Sequence, residues 1–153
     1  MVKVVLFQPQ IPQNAGNVVR TCAVTGSELM LVSPMGFSIN DRWLKRAGLD
    51  YWEGVEVQIV ESNFDELLEN NPSNIYFLSS KASRPYTSIH FRPDDWLIFG
   101  SETEGLPKRF HERWPKQFIT IPMLPGVRCL NLATSVGVVI YEAWRQQGFC
   151  SAH

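Results

Sequence analysis

Apolar and polar positions follow two periods along this chain, and together they predict short strands separated by helices. Six apolar runs have the length and residue types of buried strands: residues 3–8, 28–34, 55–60, 74–80, 94–100 and 117–123. Between them lie stretches typical of amphipathic helices: residues 14–26, 39–49, 62–71, 106–114 and 130–148. This alternation predicts an α/β fold, with a mostly parallel sheet and helices on both faces.

Boundary signals locate the ends of the predicted helices. The first helix begins near Asn14 and stops at Gly26, because glycine readily adopts the left-handed conformation that ends helices. The other signals are Asp41 as an N-cap, Ser62 or Asn63 as an N-cap, Pro107 in a first turn and Gly148 as a stop.

Composition limits the class of protein. A chain of 153 residues, 44% hydrophobic and 19% charged, is expected to form one soluble globular domain over residues 1–153. Residues 1–14 lack the apolar segment and cleavage site of a signal peptide, so we expect a cytosolic protein. The three cysteines are far apart, which predicts free thiols and neither a disulfide nor a metal site. With a net charge of −1, any nucleic-acid contact must come from a local basic patch.

Three loops that leave predicted strands carry unusual residues: LSSKASRP (78–85), FGSETEGLP (99–107) and IPMLPGVRCLN (121–131). Ligands of open α/β sheets bind beyond the carboxyl ends of the strands, where such loops meet. The second loop could simply be a tight turn with solvated glutamates. It matches no phosphate-binding or dinucleotide-binding glycine motif, and Glu102 and Glu104 would repel an anion. Acids and backbone groups suit a ribose, an adenine edge or a sulfonium instead.

The first predicted helix opens with a second unusual stretch, NAGNVVR (14–20). Asn17 and Arg20 are three residues apart and share one helix face. Gly16 costs about 1 kcal/mol relative to alanine in a helix, so we expect close packing there. The alternative is that Asn14 is only an N-cap and Arg20 only a solvated surface residue.

Together these stretches resemble the SPOUT family of RNA 2′-O-methyltransferases. NAGNVVRT, FGSETEGLP and IPMLPGVRCLNLATSVGVVIYEAWRQ are similar to its three motifs, and IPQNAGNVVRTCAVTG, LKRAGLDYWE and YEAWRQQG resemble its minimal TrmL/YibK branch. The resemblance covers about residues 4–148 and implies a SPOUT fold with a C-terminal trefoil knot that binds S-adenosyl-L-methionine. It further implies a cytoplasmic homodimer that methylates the wobble ribose, cytidine or uridine 34, in the anticodon loop of certain tRNAs.

The resemblance also assigns site residues. It implies Arg20 and Asn131 as catalytic residues, no metal, and a cofactor pocket lined by Leu78, Gly100, Glu102, Ile121 and Cys129. The RNA-binding residues are Asn14, Arg42, Lys45 and Arg46. Two positions depart from the branch: Cys129 stands where serine is common, and Glu104 stands where relatives often carry a basic residue.

Several assignments stay open at this point. Arginine normally remains protonated, so Arg20 is expected to orient the ribose hydroxyl and stabilise developing alkoxide more readily than to act as a base. Other basic groups are Lys81 with Arg84, and Lys108 with Arg109 and Arg113; each could be a solvated surface or part of an RNA-binding side. Two other interpretations remain. One is a non-catalytic RNA-binding module, which Cys129 supports. The other is a nicotinamide oxidoreductase, although the chain lacks the glycine motif of such enzymes.

Two further groups of residues are interpreted as structural. His90 and His111 have no metal-ligand spacing and are interpreted as ordinary surface or packing residues. Val138, Tyr141 and Trp144 lie at helical spacing on the last helix and are expected to form the dimer interface.

Overall fold

The computed structural model describes residues 1–38 and 54–152. The predicted helix at 39–49 lies outside the described residues, and so do its candidate N-cap Asp41 and the predicted RNA-binding residues Arg42, Lys45 and Arg46.

Six strands and four helices form the described part of the chain. The strands are β1 (Lys3–Phe7), β2 (Glu28–Val32), β3 (Val57–Val60), β4 (Ile75–Leu78), β5 (Trp96–Phe99) and β6 (Phe118–Ile119). The helices are α1 (Pro12–Thr25), α2 (Phe64–Glu69), α3 (Lys108–Arg113) and α4 (Leu132–Gln146). Short 3₁₀ turns at Tyr86–Ser88 and Pro115–Gln117 complete the connections.

The strands form one sheet in the order β3-β2-β1-β5-β4-β6, and every pair of neighbours is parallel. The chain runs outward from β1 to β3 and then returns to the other side of β1, so the strand order switches between β1 and β5. Loops leaving the carboxyl ends of two such strands diverge and open a crevice. The fold therefore places a ligand crevice beside residues 8–11 and 100–107.

Helices cover both faces of the sheet, as the alternating pattern predicted. One apolar core joins the sheet to α1 and α4 through fully buried residues such as Val18, Val19, Val139 and Ile140. The other core joins the opposite face to α2 and α3 and contains Phe7, Phe64, Phe77, Phe110 and Phe118. The α/β class with a mostly parallel sheet is confirmed.

Helix boundaries differ in detail from those predicted. α1 begins at Pro12, not near Asn14, because extended Ile11 is its N-cap and the fixed φ of proline suits the first helical position. Gly26 ends α1 in the left-handed conformation, as expected. Asn63 precedes α2, but its side chain makes no capping hydrogen bond.

Hydropathy and helix length argue against a membrane span in the part of the chain that the structure describes. None of its helices combines the length and apolar character needed to cross a bilayer.

Candidate active site

A cavity of about 570 Å³ lies beyond the carboxyl ends of β4, β5 and β6. Its lining comes mainly from residues 78–81, 99–106, 120–121 and 129–132, with Met123 and Ser135. Ile11, which precedes α1, Asn14 of α1 and His111 of α3 complete it. The three loops that the sequence singled out thus meet around one space, together with the start of α1.

Most of the predicted site residues line this cavity. They are the five predicted cofactor residues Leu78, Gly100, Glu102, Ile121 and Cys129, together with Asn14 and Asn131.

The loop after β5 is a tight turn that also forms a cavity wall. Ser101 and Gly105 exchange two backbone hydrogen bonds, at 3.3 Å and 3.0 Å between nitrogen and oxygen. Gly105 has a φ of +67°, which favours glycine. A Cβ on Gly100 would collide with the backbone of Gly105 and lie 2.6 Å from the Leu106 nitrogen. The turn and ligand-loop interpretations of this segment are therefore compatible.

Glu102 binds the beginning of α1 across the switch point. Its carboxylate accepts hydrogen bonds from the backbone nitrogens of Gln10, at 2.9 Å, and Ile11, at 2.8 Å. It also accepts one from the Asn14 side-chain nitrogen at 3.1 Å. A carboxylate beside a helix N-terminus satisfies donors that otherwise lack helical partners and is favoured by the helix dipole. Glu102 is therefore not a solvated loop glutamate.

Asn14 continues this network to the start of α4. The Asn131 side-chain nitrogen donates to Asn14 Oδ1 at 2.9 Å, and the Thr134 backbone nitrogen donates to Asn131 Oδ1 at 3.2 Å. A carboxylate can only accept and a backbone N–H can only donate, so the two ends of the chain fix the orientation of both amides. Asn14, 6% exposed, is thus a buried link between motifs, and the N-cap interpretation is wrong.

Arg20 is placed differently from the other predicted residues. It lies on the exposed side of α1 and is not among the residues that line the cavity. Arg20 lies six positions after Asn14, which corresponds to about 9 Å along the helix axis. Arg20 is therefore not part of the cavity wall of this chain.

The basic side chains near the cavity and on α3 have two different environments. On α3, Lys108 pairs with Glu112, Arg109 with Asp65 and Arg113 with Glu69, at nitrogen–oxygen distances of 3.8, 2.7 and 3.6 Å. By contrast, Lys81 lines the cavity and Arg128 precedes its wall, and both are exposed. Neither forms an ion pair within residues 1–38 and 54–152.

His111 is a cavity residue that the sequence interpretation missed. Its ring stacks on Phe118, with centroids 3.9 Å apart and planes 21° apart, and it contributes to the cavity lining. No motif or ligand spacing marks His111, and only its position one helical turn after Pro107 could have placed it near the loop.

The three cysteines are free and lie in unlike environments. Burial raises the pKa of the Cys22 thiol to about 12, because a thiolate is poorly stabilised in the apolar core. Cys129 and Cys150 are exposed, and Cys129 lies in the cavity wall. Within the described ranges, the His, Cys, Asp and Glu residues form no group of three that could hold a metal ion.

Known proteins with similar sequences extend these observations. A model of the SpoU rRNA Methylase family matches residues 1–141. The chain belongs to this family. A protein from Burkholderia ambifaria named tRNA (cytidine(34)-2'-O)-methyltransferase is 44% identical, and the match covers 97% of each chain. One of the same name from Escherichia coli is 42% identical and covers 99% of this chain and 98% of its own.

Solved structures agree with this membership of the SpoU family. One, solved to study the 2-OH methylation of C/U34 on tRNA, is 43% identical and superposes with a TM-score of 0.90, covering 97% of each chain. A SpoU methyltransferase from Streptomyces viridochromogenes with bound AdoMet is 20% identical, with a TM-score of 0.84. It covers 99% of this chain and 58% of its own, and this likeness concerns the fold alone.

Proposed function

We propose that this SpoU-family chain transfers a methyl group from S-adenosyl-L-methionine to the 2′-oxygen of the wobble nucleotide, cytidine or uridine 34, of certain tRNAs. The observation that carries the proposal is the single cavity built from all three motif loops, in a chain that matches wobble methyltransferases over nearly its full length.

The cavity suits the proposed cofactor in size and chemistry. Its volume of about 570 Å³ lies within the range of about 300–1,000 Å³ typical of small-molecule sites. Backbone groups of Leu78, Gly100, Ile121 and Cys129 would hold the cofactor, and Glu102 would close the pocket on the side of α1. When bound, S-adenosyl-L-methionine supplies a methyl group that is already activated by its sulfonium.

The residues of the network would then orient the acceptor ribose. Asn131 Oδ1 is occupied by the Thr134 backbone N–H, and one N–H of its amide is occupied by Asn14. One donor of the Asn131 amide remains for the ribose 2′-oxygen, and its direction is fixed by the two bonds already made. Holding a reacting oxygen in line with the methyl group is a large part of the catalysis such a transfer needs.

Arg20 would complete the site as a charged partner of that oxygen. Because an arginine side chain stays protonated, we assign it to orienting the hydroxyl and stabilising the developing alkoxide. As the oxygen–methyl bond forms and the sulfur–methyl bond breaks, the hydroxyl proton would pass to water and S-adenosyl-L-homocysteine would be left. We therefore expect Arg20→Ala to abolish methyl transfer while the fold and the cofactor affinity stay nearly unchanged.

We further propose that the working unit is a homodimer, formed through α1 and α4. Two observations support it: Arg20 does not line its own cavity, and apolar side chains remain exposed on both helices. Val24 of α1 is 56% exposed and Tyr141 of α4 is 43% exposed, while the buried face of α4 is already filled by Val139 and Ile140. In such a dimer, Arg20 of one subunit would serve the cavity of its partner, and Arg42, Lys45 and Arg46 would contact RNA. Asn14, which was predicted to bind RNA, would act indirectly by holding Asn131 in place.

Subunit mixing tests the composite site. Arg20→Ala and Asn131→Ala chains should each be inactive alone. Mixed and allowed to exchange, they should regain about a quarter of the wild-type rate per subunit, since half of the dimers are mixed and each holds one intact site. No recovery, with exchange verified by mass, would contradict a shared site, and activity in a monomeric Tyr141→Glu variant would contradict the dimer.

We also infer a C-terminal trefoil knot and a cytoplasmic location. The segment after β6 is held along the loop after β4 by two backbone hydrogen bonds. The Thr120 backbone nitrogen donates to the Arg84 carbonyl, and the Thr120 carbonyl accepts from the Tyr86 backbone nitrogen, both at 2.8 Å. This arrangement supports a chain that passes under an earlier loop. The proposed substrate, tRNA, places the enzyme in the cytoplasm.

Ribose methylation in cells tests the function. We expect tRNA from cells lacking this protein to lose 2′-O-methylation at nucleotide 34 of a subset of tRNAs, as mapped by mass spectrometry. Wild-type protein should restore it and Arg20→Ala should not. Methylation lost only at positions outside the anticodon loop would overturn the substrate, and an unchanged map would overturn the activity.

A further inference from the structure

We propose that a second cavity, between β1 and α3, binds an unpaired base of the RNA substrate beside the nucleotide that is methylated. This inference rests on the proposed function, since it concerns how the same RNA is held. The cavity measures about 270 Å³ and lies at the carboxyl ends of β1, β2 and β3. It therefore opens on the same edge of the sheet as the first cavity.

The size and walls of the second cavity suit a single flat group. Its volume is below the range of about 300–1,000 Å³ of complete small-molecule sites, so a base fits better than a nucleotide cofactor. Phe7 and Phe64, each 5% exposed, line its inner wall, with ring centroids 5.7 Å apart.

Arg109 supplies a second flat surface. Its guanidinium lies 5.8 Å from the Phe7 ring centroid and 4.8 Å from that of Phe110. Two hydrogen bonds to the Asp65 carboxylate, at 2.7 Å and 3.1 Å, hold the plane of the guanidinium. Unpaired RNA bases commonly stack on aromatic rings or on arginine planes.

Charge distinguishes a base from a phosphate as the occupant. Asp65 neutralises Arg109 by a bidentate pair, so the cavity offers little net attraction to an anion. The binding of a neutral planar group does not depend on this net charge. The ion pair favours such a group, because Asp65 holds the guanidinium plane of Arg109 fixed before RNA binds.

Polar side chains around the cavity have unused hydrogen-bonding groups. Gln8, Ser33, Ser62 and Asn63 line it, and none of their side chains makes a hydrogen bond to another residue in the described ranges. Such amides and hydroxyls both donate and accept, as the edge of a base requires. Gln8 and Asn63 also hold left-handed backbone conformations, with φ of 51° and 63°. Residues in such conformations concentrate at functional sites.

The two cavities are close enough for one RNA strand to reach both. The loop from β1 to α1 separates them: Gln8 lines the second cavity and Ile11 lines the first. Three residues of chain span at most about 11 Å. Likewise, Arg109 and His111 lie two residues apart on α3 and line different cavities.

Abasic scanning of an anticodon stem-loop tests the proposal. Each unpaired loop nucleotide is replaced in turn by an abasic one, and the affinity of the full-length protein is measured with saturating S-adenosyl-L-homocysteine. Wild type should lose about tenfold affinity at one position next to the target, which is a typical value for one stacked base. Arg109→Ala should lose about tenfold on the intact stem-loop and nothing further at that position.

Two variants separate stacking from charge and folding. Arg113→Ala is the matched control, because Arg113 pairs with Glu69 of the same neighbouring helix but does not line the cavity. It should bind like wild type and keep the abasic pattern. Arg109→Lys keeps the charge but lacks the plane, so it should behave like Arg109→Ala at an unchanged melting temperature.

The outcomes separate this proposal from the proposed function. Full affinity in Arg109→Lys, or an unchanged abasic pattern in Arg109→Ala, would overturn the base site while methylation of the stem-loop stands. Conversely, a wild type that shows the abasic pattern but transfers no methyl group to nucleotide 34 would overturn the function and keep the base site. Equal losses in Arg113→Ala and Arg109→Ala would show a charge effect and reject stacking.

Discussion

The two cavities at the carboxyl edge of the sheet use similar residue types in opposite ways. Around the first, polar side chains bind one another across elements, from Glu102 through Asn14 to Asn131, while Lys81 at the rim has no ion pair in the described part of the chain. Around the second, the cation Arg109 is paired, and the neutral polar side chains make no side-chain hydrogen bonds to the residues that the structure describes. Partners, more than residue type, therefore decide what each region can bind.

This difference changes the interpretation of the basic residues. Lys108, Arg109 and Arg113 form a basic group in the sequence, yet the structure pairs each of them with a carboxylate. Exposed pairs of this kind contribute little to stability, but they reduce the charge available to a phosphate. Phosphate attraction is instead expected at Lys81 and Arg128 on the rim of the first cavity.

The largest expected effect comes from cutting the network of the first cavity at Glu102. Glu102→Ala leaves the backbone nitrogens of Gln10 and Ile11 and the Asn14 amide without their acceptor. Small displacements of a positioned group can cost about 100-fold in rate, so we expect methyl transfer to fall by at least about that factor.

Thermal unfolding separates this loss of positioning from general damage. Glu102→Ala should reduce the free energy of unfolding by about 1–3 kcal/mol, the usual cost of unsatisfied donors. Glu104→Ala is the matched control in the same loop, because its side chain makes no hydrogen bond in the described residues, and it should leave the melting temperature unchanged. Equal melting temperatures for both variants would refute the anchoring role of Glu102.

The next effect concerns the wall formed by Gly100. Gly100→Ala places a Cβ against the backbone of Gly105 and Leu106, which cannot yield as a flexible side chain can. We expect cofactor affinity to fall about tenfold, in line with the cost of overpacking. Gly54→Ala meets no atom of the described residues within 4 Å and should leave affinity unchanged in calorimetry. Wild-type affinity in Gly100→Ala would show that this loop does not hold the cofactor.

A smaller effect compares a rim cation with a paired one. Lys81→Ala should weaken RNA binding and lower the slope of log affinity against log salt concentration by about one, as loss of one phosphate contact does. Lys108→Ala removes a cation paired with Glu112 on α3 and should leave the slope unchanged. Equal slopes for the two variants would contradict the claim that the rim cation contacts phosphate and the paired cation does not.

The smallest perturbation is chemical labelling of the thiols. At pH 8, Cys129 and Cys150 should react with an alkylating reagent, while Cys22 should not, because burial raises its pKa to about 12. S-adenosyl-L-homocysteine should protect Cys129 and leave Cys150 reactive, as mass spectrometry of peptides would show. Protection of both thiols or of neither would contradict the assigned cofactor position.

Periodicity predicted the helices and strands well, because the pattern of apolar residues reflects which side chains are buried, and this pattern is visible within each short segment. The apolar runs gave all six strands, and the glycine at position 26 marked the end of α1. α1 begins two residues earlier than predicted, at Pro12, because the fixed φ of proline favours the first helical position more than Asn14 favours the N-cap position. Similarity to a family supplied the residues that line the cavity, which no periodicity indicates.

Long-range partners could not be predicted from the sequence. The bond from Glu102 to Asn14 joins residues 88 positions apart, and that from Asn131 to Asn14 joins residues 117 apart. The ion pairs of Arg109 and Arg113 likewise depend on α2, and Asp65, the partner of Arg109, lies 44 positions earlier in the chain. Such contacts depend on the order of the strands in the sheet, and local sequence patterns do not predict that order.

The most direct test of the account is single-turnover methylation of an anticodon stem-loop that carries one 2′-deoxynucleotide at a time. We predict that a 2′-deoxy sugar at nucleotide 34 abolishes methyl transfer, while one at a neighbouring nucleotide leaves the rate within about tenfold of the intact stem-loop. Transfer that persists with a 2′-deoxy sugar at nucleotide 34 would contradict the central claim.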